Sequence, residues 1–320
     1  MKKFWILYIL LIVAHFKAKS EVLDPIKFTH VEILNENTFR IPFKLIDHLI
    51  VVEAELQGQK GNFIIDTGSE TLLLNKVHFP VKYKETKKLV KSTGVLNETV
   101  NPYEDYLEEF ILQNLSLKDT QSHVIDLSHI EKKKNMNLLG IIGFNILKDY
   151  EVFIDLHLNQ ITLSRTDKSG DKIDTRGYLE KISDSIPFKL VKHSIVLKTT
   201  VGQETMNFAL DSGSEYNQLN TSKSQKVIQF FIPSKRIVLA GTSSQKAEVM
   251  AGKLYRVKLS NHIYFGPMNT IITNLNRMND AFGVNLDGVM GYEFFAQKRT
   301  IINYKKEMLY FIEYPLNYQN

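Results

Sequence analysis

The chain has 320 residues, of which 43% are hydrophobic and 23% are charged, and it contains no cysteine. This length and composition are typical of a globular protein with more than one core, and they exclude a disordered or fibrous chain. The lack of cysteine excludes disulfide frameworks, thiolate catalysis, zinc sites with cysteine ligands and lipid anchoring through a cysteine.

The N-terminus has the pattern of a secretory signal peptide. Two lysines follow Met1, an apolar run extends from Phe4 to Ala14, and Ala18-Lys19-Ser20 is typical of a cleavage site. We therefore expect residues 1–20 to be a signal peptide and the mature protein to be exported, either periplasmic or secreted. An uncleaved membrane anchor is the alternative, although the run is shorter than the roughly 20 residues of a transmembrane helix.

The mature chain is nearly neutral. Removing residues 1–20 takes away four lysines and no acidic residue, which lowers the formal net charge from +5 to +1. A nucleic-acid-binding protein is expected to keep a basic patch on its folded part. We therefore expect no nucleic acid as a partner, and no membrane once the signal peptide is removed.

Short apolar or alternating segments, bounded by turn residues, predict a β-rich chain. A short helix is predicted after each of two Gly-x-x-Gly segments, and a polar connector is predicted at Thr166–Gly177. In chain order the predicted elements are strands at Ile50–Leu56 and Leu107–Leu112, a helix at Asn145–Tyr150, strands at Val152–Ile154 and Ile237–Leu239, a helix at Glu293–Gln297 and a strand at Met308–Ile312.

The chain contains a long internal repeat. Residues 41–75 align without a gap with residues 186–220 at an offset of 145, and 16 of the 35 positions are identical. Residues 138–163 resemble residues 286–312, and their glycine pairs match at an offset of 148. One long period repeated twice indicates gene duplication, whereas solenoids use much shorter periods. We therefore expect two similar lobes, at 21–168 and 169–320.

Each repeat carries an aspartate in a polar turn that interrupts an apolar run. In FIIDTGSETLLLN this residue is Asp66, and its counterpart in the second repeat is Asp211. A single turn of this kind is typical of an ordinary hairpin. Two equivalent turns can meet about a pseudo-twofold axis, where carboxyl groups about 3 Å apart share one proton. Such a pair supplies a base and an acid in one site.

Four short motifs resemble those of the aspartic peptidases, the family of the pepsin-like and retroviral-type proteases. They are Asp66-Thr67-Gly68-Ser69, Asp211-Ser212-Gly213-Ser214, Ile141-Ile142-Gly143 and Val289-Met290-Gly291. The resemblance covers most of residues 41–312. It implies an all-β, bilobed aspartic-protease fold with two β-barrel-like lobes and the active site between them. It also implies an endopeptidase that cleaves an extended polypeptide substrate and needs neither a metal nor an organic cofactor.

The resemblance also implies a role for each residue of the four motifs. Asp66 and Asp211 form the catalytic pair that activates the attacking water. Thr67 and Ser212 are expected to lock the two turns together. Gly68 and Gly213 are expected to let main-chain N–H groups reach the carboxylates, and Ser69 and Ser214 to donate to the outer carboxylate oxygens. Gly143 and Gly291 are expected on strands that pass close to the catalytic turns.

Several departures favour a duplicated retroviral-type protomer over a pepsin-like enzyme. The candidate flap at Lys91–Leu96 lacks the tyrosine that pepsin-like enzymes usually carry, and Gly241 marks a matching hairpin in the second lobe. There is also no long basic prosegment before Ile41, so zymogen control of the pepsin type is not expected.

Other interpretations stay open at this point. The main alternative is a non-catalytic, peptide-binding pseudo-protease of the same fold, and a further one is an envelope protein whose repeated turns are only turns. Glu70 and Glu215 follow the catalytic turns and either line the cleft or are solvated turn positions. The run Glu131–Lys134 is predicted to be a solvated loop. We expect no metal site, and we expect a monomer.

Overall fold

The computed structural model describes residues 28, 31–79, 92–93, 98–99, 103–113, 115–176, 181–240 and 246–313. The predicted signal peptide, Gly241 and all of the predicted flap except Ser92 and Thr93 lie outside these residues. Within them the chain is mostly β-strand with a few short helices, which confirms the predicted all-β class. No helix in this part of the chain is long and apolar enough to cross a membrane.

The first half of the chain, residues 31–176, folds into short strands and two short helices as far as it is described. Its long strands are rich in β-branched and aromatic residues, which suit a pleated, half-buried surface. In chain order the elements are β1 (Glu32–Asn35), β2 (Thr38–Pro42), β3 (Lys44–Ile46), β4 (Leu49–Leu56), β5 (Gln59–Ile65), β6 (Leu72–Asn75), β7 (Ser92–Thr93), β8 (Glu98–Thr99), β9 (Tyr103–Leu112), β10 (Leu115–Ile125), α1 (Ser128–Lys134), β11 (Leu138–Ile142), α2 (Phe144–Leu147), β12 (Tyr150–Asp155) and β13 (Gln160–Arg165).

The second half, residues 181–313, has the same kind of elements. A single 3₁₀ turn at Ile228–Phe230 follows its first helix. In chain order the elements are β14 (Ile182–Pro187), β15 (Lys189–Val191), β16 (Ser194–Val201), β17 (Glu204–Leu210), β18 (Asn217–Asn220), α3 (Thr221–Val227), β19 (Phe231–Ala240), β20 (Lys246–Leu254), β21 (Val257–Lys258), β22 (Met268–Thr273), α4 (Asn276–Phe282), β23 (Gly288–Met290), α5 (Tyr292–Gln297), β24 (Arg299–Asn303) and β25 (Met308–Ile312).

The predicted strands are all present, and the two predicted helices differ in accuracy. α5 begins one residue before the predicted Glu293, whereas α2 ends at Leu147 and the predicted helix was too long. Tyr150 instead begins β12, where it is buried and pairs with Arg165 of β13. Sheet pairing therefore determines where this helix ends. The described part of the predicted connector, 166–176, contains turns and one isolated bridge from Thr166 to Lys172.

Two large sheets share one strand order over seven strands, and the second sheet has β19 beyond them. In the first half the order is β3-β4-β5-β11-β6-β10-β9, and in the second it is β15-β16-β17-β23-β18-β22-β20-β19. In each sheet the strand that ends at an aspartate runs parallel to the strand that ends before a glycine: β5 with β11, and β17 with β23. In the first sheet β4 also pairs with β9, which gives it a barrel-like closure. The sequence repeat is therefore also a repeat of topology.

A third sheet combines the two halves of the chain, in the order β1-β2-β13-β12-β24-β25-β14. At its centre β12 pairs with β24, and Phe153 lies opposite Ile301. These two residues are equivalent in the repeat at the offset of 148, so the pseudo-twofold axis passes through this pair. The largest buried hydrophobic cluster likewise contains side chains from both halves. The halves are thus joined by a common sheet and a common core.

A buried ion pair also joins the two halves. The side chains of Arg299 and Asp155 are 1% and 0% exposed. The Arg299 atoms Nη2 and Nε donate to Asp155 Oδ2 at 2.7 and 3.1 Å. The other oxygen of Asp155 accepts from the main-chain N–H groups of His157 and Leu158 at 3.0 and 3.2 Å. Each charge is therefore compensated away from water.

We expect Arg299→Met to lower the free energy of unfolding by about 3–5 kcal/mol, because it leaves the Asp155 carboxylate buried without its counter-charge. Urea denaturation measures this loss. Arg236→Met is the matched control, since Arg236 and Glu248 are largely exposed and 3.8 Å apart; its effect should stay below about 1 kcal/mol. Equal losses in the two variants would contradict a structural role for the buried pair.

Candidate active site

The two aspartates lie at the ends of equivalent buried strands. Asp66 directly follows β5, and Asp211 directly follows β17. The main-chain N–H of Asp66 donates to the carbonyl of Ile142 at 3.0 Å, and that of Asp211 donates to the carbonyl of Met290 at 2.9 Å. The parallel pairing of each strand therefore continues to the aspartate itself. Both aspartates stay partly exposed, whereas the strands that lead to them are buried.

Main-chain N–H groups of each turn face the carboxylate of that turn. Gly68 N and Ser69 N donate to Asp66 Oδ1 at 2.8 and 3.1 Å. In the second turn Gly213 N donates to Asp211 Oδ1 at 2.8 Å. Such donors fix the orientation of the carboxyl groups, and they favour the ionised form of a carboxylate.

Thr67 and Ser212 join the two turns by four hydrogen bonds. Thr67 N donates to Ser212 Oγ at 3.0 Å, and Ser212 N donates to Thr67 Oγ1 at 3.0 Å. In return Thr67 Oγ1 donates to the carbonyl of Leu210 at 3.2 Å, and Ser212 Oγ donates to that of Ile65 at 2.9 Å. Thr67 is 0% exposed and Ser212 is 1% exposed. Only a hydroxyl can donate and accept in this way with so short a side chain.

Gly68 and Gly213 bring the two carboxyl groups together. A Cβ atom added to Gly68 would lie 2.7 Å from Asp211 Cγ, and one added to Gly213 would lie 2.4 Å from Asp66 Cγ. Each aspartate therefore packs directly on the main chain of the opposite turn. Any side chain at either glycine would push the opposite carboxyl group away.

Gly143 and Gly291 let a second main-chain segment pass behind each turn. A Cβ atom on Gly143 would lie 2.6 Å from the carbonyl oxygen of Ser69, and one on Gly291 would lie 2.2 Å from that of Ser214. The next residues donate to the same carbonyls, Phe144 N at 2.8 Å and Tyr292 N at 2.9 Å. Residue for residue, the second half repeats the arrangement of the first.

The hydroxyls of Ser69 and Ser214 donate to other acceptors than predicted. Ser69 Oγ donates to the carbonyl of Thr71 at 3.2 Å, and Ser214 Oγ donates to that of Tyr216 at 2.8 Å. The prediction that they donate to the outer carboxylate oxygens is therefore wrong for this structure. A short hydroxyl side chain readily bonds to its own main chain two residues on, which here tightens each turn.

Burial raises the pKa of Asp211 well above its ordinary value, and the neighbouring Asp66 carboxyl raises that pKa further. Two carboxyl groups in contact cannot both ionise readily, so the proton belongs to the pair. Asp211 is the member that favours the protonated form. An acid and a carboxylate in contact can give and take a proton within one reaction.

The contacts of the charged residues next to the turns were not predicted from the sequence. Lys134 belongs to the last turn of α1, and its side chain is 2% exposed, so the predicted solvated loop is wrong. Its Nζ lies 2.8 Å from Glu215 Oε1 of the other half and 3.1 Å from Asp47 Oδ2. On the opposite side the Nδ1 atom of the buried His193 lies 3.7 Å from Glu70 Oε2.

Only some of these charged and titratable residues are marked by a pattern in the sequence. The glutamates and the two histidines, His48 and His193, recur at the offset of the aspartates. No pattern marked Lys134, because nothing in the sequence indicates which way the helix faces. Among the described residues no three His, Asp or Glu side chains form a group that could hold a metal ion.

A search with protein-family models found no match to the chain, and a search among curated proteins found none either. The assignment of function therefore depends on the site itself.

We expect Thr67→Val to lower the free energy of unfolding by about 1–3 kcal/mol, because Ser212 N–H then has no acceptor and the Leu210 carbonyl loses its donor. The change keeps the size and branching of the side chain, and urea denaturation measures its effect. Thr205→Val is the control, since Thr205 is exposed on β17. The role of the hydroxyl would be refuted by losses of the same size at both sites.

We expect Asp211→Asn to be more stable than the parent at neutral pH. A carboxyl group whose pKa is raised by folding binds more protons in the native state, so the parent loses stability as pH rises from about 4, the pKa of an unfolded aspartate, through the raised value. The asparagine variant does not lose stability in this way, because its side chain does not titrate. Thermal unfolding from pH 3 to 7 measures this difference. The melting temperatures of the two proteins should follow the same pH dependence in acid, and that of the variant should lie above that of the parent at higher pH. A parent more stable than the variant at neutral pH would contradict the raised pKa.

Proposed function

We propose that the protein is an aspartic endopeptidase, with a catalytic pair formed by Asp66 and Asp211. One observation carries this proposal: two equivalent turns, one from each half, pack each aspartate on the glycine of the opposite turn, and the two carboxyl groups hydrogen-bond to each other across a pseudo-twofold axis. An ordinary pair of hairpin turns has no reason to hold two carboxyl groups in contact, because their repulsion and their partial loss of hydration destabilise the fold. A catalytic function accounts for this cost.

The chemistry follows from the different environments of the two groups. Asp211, whose pKa is raised by burial and by Asp66, is the acid that protonates the carbonyl oxygen of the scissile peptide. Asp66 is the base that takes a proton from the attacking water. As the resulting tetrahedral diol collapses, Asp66 gives the proton taken from water to the leaving nitrogen and the C–N bond breaks. A hydroxyl of the diol returns its proton to Asp211 as the carbonyl re-forms, which restores both carboxyl groups. The Thr67 and Ser212 hydrogen bonds hold the two carboxyl groups at a constant separation throughout.

The proposal includes the bilobed aspartic-protease fold, with lobes at 21–168 and 169–320 and a substrate cleft between them. The repeated strand order and the common sheet support it. Each half has a hairpin after the strand that follows its aspartate turn, β7–β8 after β6 and β19–β20 after β18. The β19–β20 hairpin belongs to the second large sheet, whereas β7–β8 forms a sheet of its own. They are candidates for two similar flaps, as expected of a duplicated retroviral-type protomer. An extended polypeptide would pair its main chain with such edges.

The mature enzyme is proposed to begin after the signal peptide and to act as an exported, periplasmic or secreted protein. Cleavage as far as Arg40 would be incompatible with the fold, because β2 (Thr38–Pro42) pairs with β13 inside the common sheet. Any trimming of the N-terminus should therefore stop before this strand.

We expect residues 21–320 to cleave members of a mixed peptide library between about pH 3 and 7, where carboxylate pairs titrate. Asp66→Asn and Asp211→Asn should each reduce the rate by about 10²–10⁴-fold, because each removes one member of the acid–base pair with little change of shape. Mass spectrometry of the products measures the rate and the cleavage sites.

Asp119→Asn is the control, since Asp119 is an exposed residue of β10. Its rate should equal that of the parent. Full activity in either Asp66→Asn or Asp211→Asn would refute the shared catalytic pair. Peptide binding without cleavage by the parent would instead indicate the non-catalytic pseudo-protease.

A further inference from the structure

His193 reaches from the second half to the catalytic turn of the first. It lies in the tight turn between β15 and β16, where the preceding Lys192 has a positive φ of 57°. The imidazole is 3% exposed, and its Nδ1 atom lies 3.7 Å from Glu70 Oε2. The ring also interacts with the main chain of Gly68, the residue on which Asp211 packs. A buried titratable group of one half thus contacts the catalytic turn of the other.

The equivalent residue in the first half, His48, makes different contacts. Its ring stacks on Tyr292 with centroids 4.2 Å apart and planes 14° apart, and it meets the edge of Tyr216. On this side Glu215, the counterpart of Glu70, is paired with Lys134. Among the described residues, the glutamate of one turn therefore lies beside a permanent cation and the glutamate of the other lies beside an imidazole.

The charge of this imidazole depends on the groups around it. Burial lowers the pKa of His193 and the neighbouring Lys192 lowers it too, whereas the carboxylates of Glu70 and Asp66 raise it. Because Asp66 belongs to the catalytic pair, the imidazole and the pair interact, and interacting groups influence each other equally in both directions.

We propose that His193 is a positioning residue that holds the Asp66 turn from the opposite half, and that its charge follows the charge of the aspartate pair. The part of this inference that concerns catalysis rests on the proposed function. In acid the imidazolium faces Glu70 and Asp66 and favours the ionised form of the pair, since a nearby opposite charge stabilises a carboxylate. The singly ionised, active pair therefore persists to lower pH than it would alone.

NMR titration of the histidine side chains tests the coupling without any activity assay. The His193 signal is assigned by its loss in His193→Gln. We expect the pKa of His193 to fall in Glu70→Gln and also in Asp66→Asn, because each change removes a negative charge that favours the imidazolium. The titration curve of His48 should be the same in all of these proteins. A His193 curve that is unchanged in Asp66→Asn would overturn the inference.

The pH–rate profile of peptide cleavage tests the consequence. In His193→Gln the acidic limb of the pH–rate profile should move to higher pH by about one unit. In His48→Gln the acidic limb should lie at the same pH as in the parent. A uniform loss of rate at every pH would show that His193 is only structural, and would also overturn the inference. If the parent cleaves no peptide, the proposed function fails while the NMR titration still decides whether the imidazole and Asp66 are coupled.

Discussion

Four hydrogen bonds made by Thr67 and Ser212 determine how the two halves of this protein meet. Each hydroxyl accepts from the main chain of the opposite turn and donates to a carbonyl at the end of the opposite strand. These main-chain groups are buried, and a buried N–H or C=O group without a partner is costly. The turns therefore have a strong preference for this one relative position. The contact of the two aspartates is a consequence, because they flank the hydroxyls in both turns.

The common sheet and a buried ion pair also hold the two turns in contact. β12 and β24 pair around the axis, and the buried Arg299–Asp155 ion pair crosses the same boundary. The two halves consequently cannot slide past each other without breaking a sheet and separating buried charges. A rigid base of this kind suits the proposed catalytic pair, whose two carboxyl groups come from different parts of the chain, since small displacements weaken acid–base catalysis.

The two repeats are similar in topology and different in their charged contacts. The turns, the glycine strands and the hydroxyl bonds match residue for residue, because the geometry of two carboxyl groups in contact permits little variation. The residues just outside that geometry have diverged. Lys134 neutralises Glu215, whereas His193 faces Glu70, and the stacked His48 and Tyr292 occupy the place opposite His193. The charged groups beside the two turns therefore differ within a nearly symmetric frame.

The sequence by itself determined the all-β class, the repeat and the residues of both turns. These properties are visible there because hydrophobic alternation, glycine and the Asp-x-Gly-Ser pattern express local requirements that each stretch of chain must satisfy. Only the tertiary structure decided the common sheet, the end of α2 at Leu147, and the hydroxyl direction of Ser69 and Ser214. It also decided the burial of Lys134 and His193. The common sheet and the burial of Lys134 and His193 depend on which surfaces meet across the axis, and contacts between residues more than eighty positions apart leave no periodic trace in either partner. The end of α2 and the two hydroxyl directions depend on which of several available hydrogen-bond partners is taken, and the sequence pattern does not rank those partners.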